Sequence, residues 1–219
     1  MTPSTDSATN ILYYVFDPLC GWCYAAMPAL AAVKDLPGIH IDLLPAGLFT
    51  GTGARLMDDT FAAYAWSNDQ RIQRLTGQRF TPAYRDQVLA NRVQPFDSGA
   101  ATVALTAVAL TAPSRQLDAL AAIQQARYVD GRDVTSTETL GKVLAAEGLD
   151  AAASALSAPG RDLAAATRER MQRAQQFMRQ FGVRGVPALI VDSGNHLSLV
   201  DHSSSYGNPS ALIGLLNAI

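Results

Sequence analysis

Cys20-Gly21-Trp22-Cys23 holds the only two cysteines of a 219-residue chain, separated by two residues. Neither sulfur has another cysteine to pair with. The pair is therefore a reversible local disulfide, half of a metal site, or a chance neighbourhood. Ile11 to Phe16 before it is apolar, aromatic and β-branched, and reads as a buried strand. Asp17-Pro18 ends that strand, and Tyr24 to Met27 with Leu30 to Val33 read as a helix. Cys20 then lies at the strand-to-helix turn, and Cys23 about one turn inside. Only a thiolate attacks a disulfide, and the unpaired N–H groups and dipole of a helix N-terminus stabilise a negative sulfur. The setting favours redox chemistry, with Cys20 as the attacking sulfur and Cys23 resolving the mixed disulfide.

Metal binding is disfavoured, because two cysteines supply half of a structural zinc shell and no second CxxC or clustered histidines complete it. Gly51-Thr52-Gly53 matches no phosphate or dinucleotide fingerprint. Hydrophobic residues make up 48% and charged residues 16%, as in an ordinary globular chain rather than a disordered one. A formal net charge of −2 without a basic cluster argues against nucleic-acid or anionic-membrane partners. The polar start, residues 1–10, lacks Lys and Arg, so no secretory signal is expected, nor any membrane span. On that reading the location is cytoplasmic, where a CxxC is catalytic more often than structural.

These residues need elements to hold them. Ile39 to Pro45 alternates and ends in proline, giving a second strand parallel to the first across the helix. From about Gly53 to Gly160 no strand is expected; five or six short helices are, one of them opened by a Thr135/Glu138 capping box. A helix over Arg161 to Phe181 stops at Gly182. Ala188 to Val191 and His196 to Val200 form a hairpin about Ser193-Gly194-Asn195. Asn208-Pro209 opens a last helix running to Ala218. The order is βαβ, helical block, helix, ββα.

With CxxC after the first strand and Val186-Pro187 before the third, that order is similar to a thioredoxin fold. The expected class is α/β, a thioredoxin fold with a large all-helical insertion: residues 1–50, insertion 51–160, and residues 161–219. Three segments carry a closer likeness: Phe16 to Tyr24, Gly182 to Pro187, and Val129 to Val134 before a helix ending Gly148-Leu149-Asp150. Through them the chain resembles the DsbA-like thiol:disulfide oxidoreductases, in their cytoplasmic DsbM-type branch near kappa-class glutathione transferases and hydroxychromene-carboxylate isomerases.

The resemblance implies that Pro187 is a cis-proline facing the dithiol and that the Val186 backbone pairs with substrate. It implies disulfide exchange, and possible isomerisation, on protein or glutathione-linked disulfides, with glutathione as co-substrate and no permanently bound cofactor. Trp22 is read as an apolar wall. Asp201, His202 and Ser203 fall in the loop that grips the γ-glutamyl end of glutathione in kappa-like relatives, although those relatives carry Asp-Arg or Asp-Ser there. Asp17 is read as capping the active-site turn, with a proton relay to Cys23 as the alternative. A kappa-type transferase or isomerase, or a redox-responsive binding protein, are the competing functions. The intact cysteine pair disfavours the transferase, whose relatives carry serine at the Cys20 position.

Overall fold

The fold is seen in a computed structural model that describes residues 10–194 and 196–218. The expectations for residues 1–9 and for Asn195 in the hairpin turn lie outside the described residues. Strand β1 (Asn10–Phe16) lies at the centre of the sheet. Its pleat sends Leu12, Tyr14 and Phe16 into one hydrophobic cluster and Tyr13 and Val15 into another. Burial on both faces is why this strand reads as a continuous apolar run.

Helix α1 (Gly21–Val33) carries the chain to β2 (Ile39–Pro45), which pairs with β1 in parallel, Asn10 opposite Ile39 and Phe16 opposite Pro45. The helix continues through Pro28, which has no N–H for the Tyr24 carbonyl. Gln78 Nε2 donates to that carbonyl at 2.9 Å instead.

The insertion opens with β3 (Arg55–Leu56) and continues through α2 (Asp59–Thr76), a π-helical turn at Tyr84–Leu89, and β4 (Pro95–Phe96). Helices α3 (Gly99–Thr111), α4 (Gln116–Tyr128), α5 (Thr137–Ala146) and α6 (Asp150–Ser157) follow. The antiparallel β3–β4 pair corrects the expectation of no strand here. Two-residue strands are too short for an alternating pattern to register. The cap of α5 is Ser136, whose side chain accepts from Thr139 N, rather than Thr135. Thr135 instead donates its hydroxyl to Asp133 at 2.7 Å, and Glu138 pairs with Lys142.

Helix α7 (Arg161–Gln180) packs Ala174 and Phe177 against Tyr13, Val15 and Ile190. Gly182, at φ 65°, ends it, with Val183 N donating back to Met178 O. Strands β5 (Ala188–Asp192) and β6 (Leu197–Val200) complete a sheet ordered β2-β1-β5-β6. Helix α8 (Ala211–Asn217) begins later than expected, because Asn208-Pro209 forms a turn closing the 3₁₀ segment Ser203–Tyr206. Among the described residues no helix is long and apolar enough to cross a membrane.

One feature of the register positions the site. Strands β1 and β5 run antiparallel with Val15 opposite Ala188. The chain leaving β1 towards the cysteines therefore meets the chain entering β5 through Val186-Pro187.

Candidate active site

Cys20 is the N-cap residue of α1, extended at φ −86° and ψ 120°, and its carbonyl accepts from Cys23 N at 3.0 Å and Tyr24 N at 3.1 Å. The Asp17 carbonyl accepts from Cys20 N at 3.1 Å. The buried Asp17 carboxylate accepts from Leu19 N at 2.9 Å, Phe49 N at 3.2 Å and Ser98 Oγ at 2.7 Å. It thereby caps the turn and ties it to the loop after β2 and to the start of α3. Burial raises its pKa, while these three donors work in the opposite direction.

Both sulfurs are free thiols. They are placed differently. Cys23 is fully enclosed, with Asp17 N donating to its Sγ at 3.5 Å and Tyr14 Oη to its carbonyl at 2.8 Å. Burial pushes the Cys23 thiol up, and the neighbouring Cys20 adds to the effect. Cys20 is 9% exposed and lines an open cavity. Its Sγ lies 3.6 Å from the Val186 carbonyl oxygen, a residue 166 positions away. The Val186–Pro187 peptide is cis.

Trp22 is half-buried and meets Tyr206 edge to face at 5.1 Å, with the Arg71 guanidinium 5.7 Å over its ring. Burial and the two cysteines raise the Tyr206 hydroxyl's pKa. His202 Nε2 is 3.3 Å from Tyr206 Oη, so this histidine stands one side chain behind Trp22. Burial lowers the His202 pKa. Asp201 and Ser203 are exposed and bond to each other, Ser203 N donating to Asp201 Oδ1 at 3.0 Å. Thus Cys20, Cys23, Trp22, Val186 and Pro187 converge, His202 joins through Tyr206, and Asp201 and Ser203 lie on the loop beyond. His40 and His196 are exposed on the sheet side.

The cavity beside Cys20 holds about 260 Å³ and is walled by Trp22, Phe49, Phe61 and Tyr64. Its carboxyl is Asp69, from α2, a residue that sequence reasoning passed over. Asp69 is 4% exposed, accepts from Tyr84 Oη at 3.0 Å, and has its pKa pushed up to about 7 by burial, against the pull of Tyr84 and Arg127. In sequence it is one polar residue of Asn68-Asp69-Gln70-Arg71, indistinguishable from a solvated helix face. Ser98 and Tyr206 carried no local signal either. No group of three or more His, Cys, Asp or Glu side chains suited to a metal occurs among the described residues.

Residues 11–206 match the family model described as a DSBA-like thioredoxin domain. No curated protein matches the chain. Among solved structures, the cytosolic disulfide reductase DsbM from Pseudomonas aeruginosa is 30% identical, with a TM-score of 0.85 over 95% of this chain and 97% of its own. The same enzyme with GSH superposes with a TM-score of 0.82 at 30% identity, covering 95% of this chain and 98% of that one. Pseudomonas aeruginosa DsbA is 17% identical with a TM-score of 0.54, covering 99% of this chain and 84% of its own, a likeness of fold alone.

Proposed function

The chain belongs to the family of DSBA-like thioredoxin domains, and we propose that it acts as a cytoplasmic thiol:disulfide oxidoreductase on protein or glutathione-linked disulfides. The Cys20 thiolate attacks one sulfur of the substrate disulfide, and the bonding pair of the broken S–S bond leaves with the other sulfur, which takes up a proton. Cys23 then loses its proton and attacks Cys20. The second substrate thiol departs and a Cys20–Cys23 disulfide remains. Two molecules of glutathione restore the dithiol and leave as glutathione disulfide, so glutathione is a co-substrate rather than a bound cofactor. A mixed disulfide that escapes Cys23 reshuffles, which gives isomerase activity as a side outcome.

The observation that carries this reading is the asymmetry of the sulfurs: Cys20 opens onto a cavity 3.6 Å from the Val186 carbonyl, and Cys23 is sealed behind it. In this reading the Val186 backbone and Pro187 present the substrate strand, and Trp22 covers the disulfide. The loop with Asp201, His202 and Ser203 receives the carboxylate end of glutathione. The structure of DsbM with GSH, at 30% identity, supports the glutathione part, and that enzyme's cytosolic description supports the location. We divide the chain into thioredoxin halves 1–50 and 161–219 around the insertion 51–160.

Reduction of insulin with glutathione as the electron donor, and of glutathione disulfide by the reduced protein in a single turnover, measured with Cys20→Ser and Cys23→Ser, tests the assignment. Cys20→Ser is expected to be inactive, and Cys23→Ser to accumulate a mixed disulfide visible by intact mass. Turnover surviving in Cys20→Ser refutes it, as does conjugation of chlorodinitrobenzene outpacing disulfide reduction.

A further inference from the structure

We propose that Asp69 is a second catalytic group of the dithiol centre, whose carboxyl protonates the sulfur that departs when Cys20 attacks a dialkyl disulfide. The inference rests on the oxidoreductase reading above and deepens it. Cys20 Sγ lies 3.6 Å from the Val186 carbonyl oxygen, and Cys20 also lines the cavity, whose wall does not include Val186. A substrate strand lying along Val186 leaves its departing half over that cavity. Asp69 is the carboxyl among the residues lining it. Its Oδ1 sits close against Gly21, the residue that follows Cys20, since a Cβ there would lie 2.5 Å away. The other oxygen is held by Tyr84 Oη at 3.0 Å, which fixes the carboxyl and leaves Oδ1 on the dithiol side.

The step balances within the site. The Cys20 thiolate forms a bond to the nearer substrate sulfur, and the S–S bonding pair goes to the farther sulfur. That sulfur takes the proton from Asp69, leaving a thiol and a carboxylate, and solvent reprotonates Asp69 through the cavity. An alkyl thiolate, with a conjugate acid near that of free cysteine at ~8.5, is a poor leaving group and gains from this transfer; an aryl thiolate leaves unaided. The groups facing Asp69 are Tyr84 from the π-helical turn, Arg127 and Tyr128 from α4, and Cys20 at the start of α1. Burial outweighs Arg127 and Tyr84, so near neutral pH the carboxyl holds a proton it is able to give.

The test is single-turnover reaction of the reduced full-length protein with oxidised glutathione and with 5,5′-dithiobis(2-nitrobenzoate), in wild type and Asp69→Asn. Asparagine keeps an acceptor for Tyr84. The expected result is a loss at least roughly tenfold greater on the alkyl than on the aryl disulfide. Equal losses on both, or none on either, overturn the proposal. Wild type supplies a second reading independent of any variant. Its rates across a series of disulfides should depend less steeply on leaving-group acidity at pH 6 than at pH 8.5; an unchanged slope also overturns it. These failures differ from failure of the underlying reading, in which Cys20→Ser would still reduce both disulfides.

Discussion

Gly21 owes its identity to a residue of the insertion. A Cβ there would press on Asp69 Oδ1 at 2.5 Å and on Ile72 Cδ1 at 3.2 Å, so the glycine of the dithiol motif is set by α2 rather than by the turn it sits in. The same carboxyl makes a stability prediction. Asp69 holds its proton up to about pH 7 in the folded protein, whereas an unfolded aspartate releases it near the ordinary value of 3.8. Its stabilising contribution is complete below the unfolded value and disappears as pH rises through 7. Asp69→Asn should therefore gain stability relative to wild type between pH 5 and pH 8, on the order of a few kcal/mol. Asp17, also raised, is common to both proteins and cancels from the comparison. Urea denaturation of the two proteins at both pH values measures this, and a difference that does not change with pH would falsify it. The cysteines were legible in sequence because spacing and the strand–helix pattern flank them directly. Asp69, Ser98 and Tyr206 were not, because each becomes notable only through what another segment buries against it.

At the scale of elements, α7 does more than cover the sheet. From its solvent-poor side Arg170 reaches the Leu43 carbonyl of β2, the Gln116 side chain opening α4, and, at 3.2 Å, the Leu105 carbonyl of α3. One guanidinium thus fastens a sheet edge to two helices of the insertion. Arg170→Ala takes this donor from the Leu43 carbonyl and the Gln116 amide oxygen and should cost about 1–3 kcal/mol for each group left unpaired. Arg170→Lys should recover little, because a single ammonium does not reproduce a planar fork that reaches three acceptors. Chemical denaturation checks both variants, and the activity per folded molecule should stay at the wild-type level. Retained stability in Arg170→Ala would rule out the fastening role. Helix existence was readable here from periodicity and from stops such as Gly77 and Gly182, both at positive φ. Helix starts were less so: at α5 two adjacent hydroxyl residues compete, and Asp133 takes Thr135 and leaves Ser136 to cap.

Across the whole molecule, one hydrophobic cluster runs from Leu12 and Phe16 of the sheet through α1 into Leu105, Leu120, Ile123 and Leu144 of the insertion. The insertion is therefore part of the same core and should unfold with it. Trp22 and Trp66, the two tryptophans, report on either side of this joint. Single-tryptophan proteins made by Trp66→Phe and Trp22→Phe should show coincident denaturation midpoints after correction for each substitution's own cost. Two separated transitions would show instead that the insertion unfolds as an independent unit. The residue order alone was enough for the dithiol, its strand–helix setting and the mainly helical nature of the region from about Gly53 to Gly160, which are written in local spacing and hydrophobic period. The thioredoxin-like arrangement came from the resemblance of that order to a known fold. Folding in three dimensions chose the rest. The antiparallel register of β1 with β5 carried Val186 to the sulfur of Cys20, and the packing of α2 on α1 placed the Asp69 carboxyl against Gly21 in the cavity that Cys20 lines. Such pairings depend on which distant surfaces bury one another, a quantity that no stretch of neighbouring residues encodes.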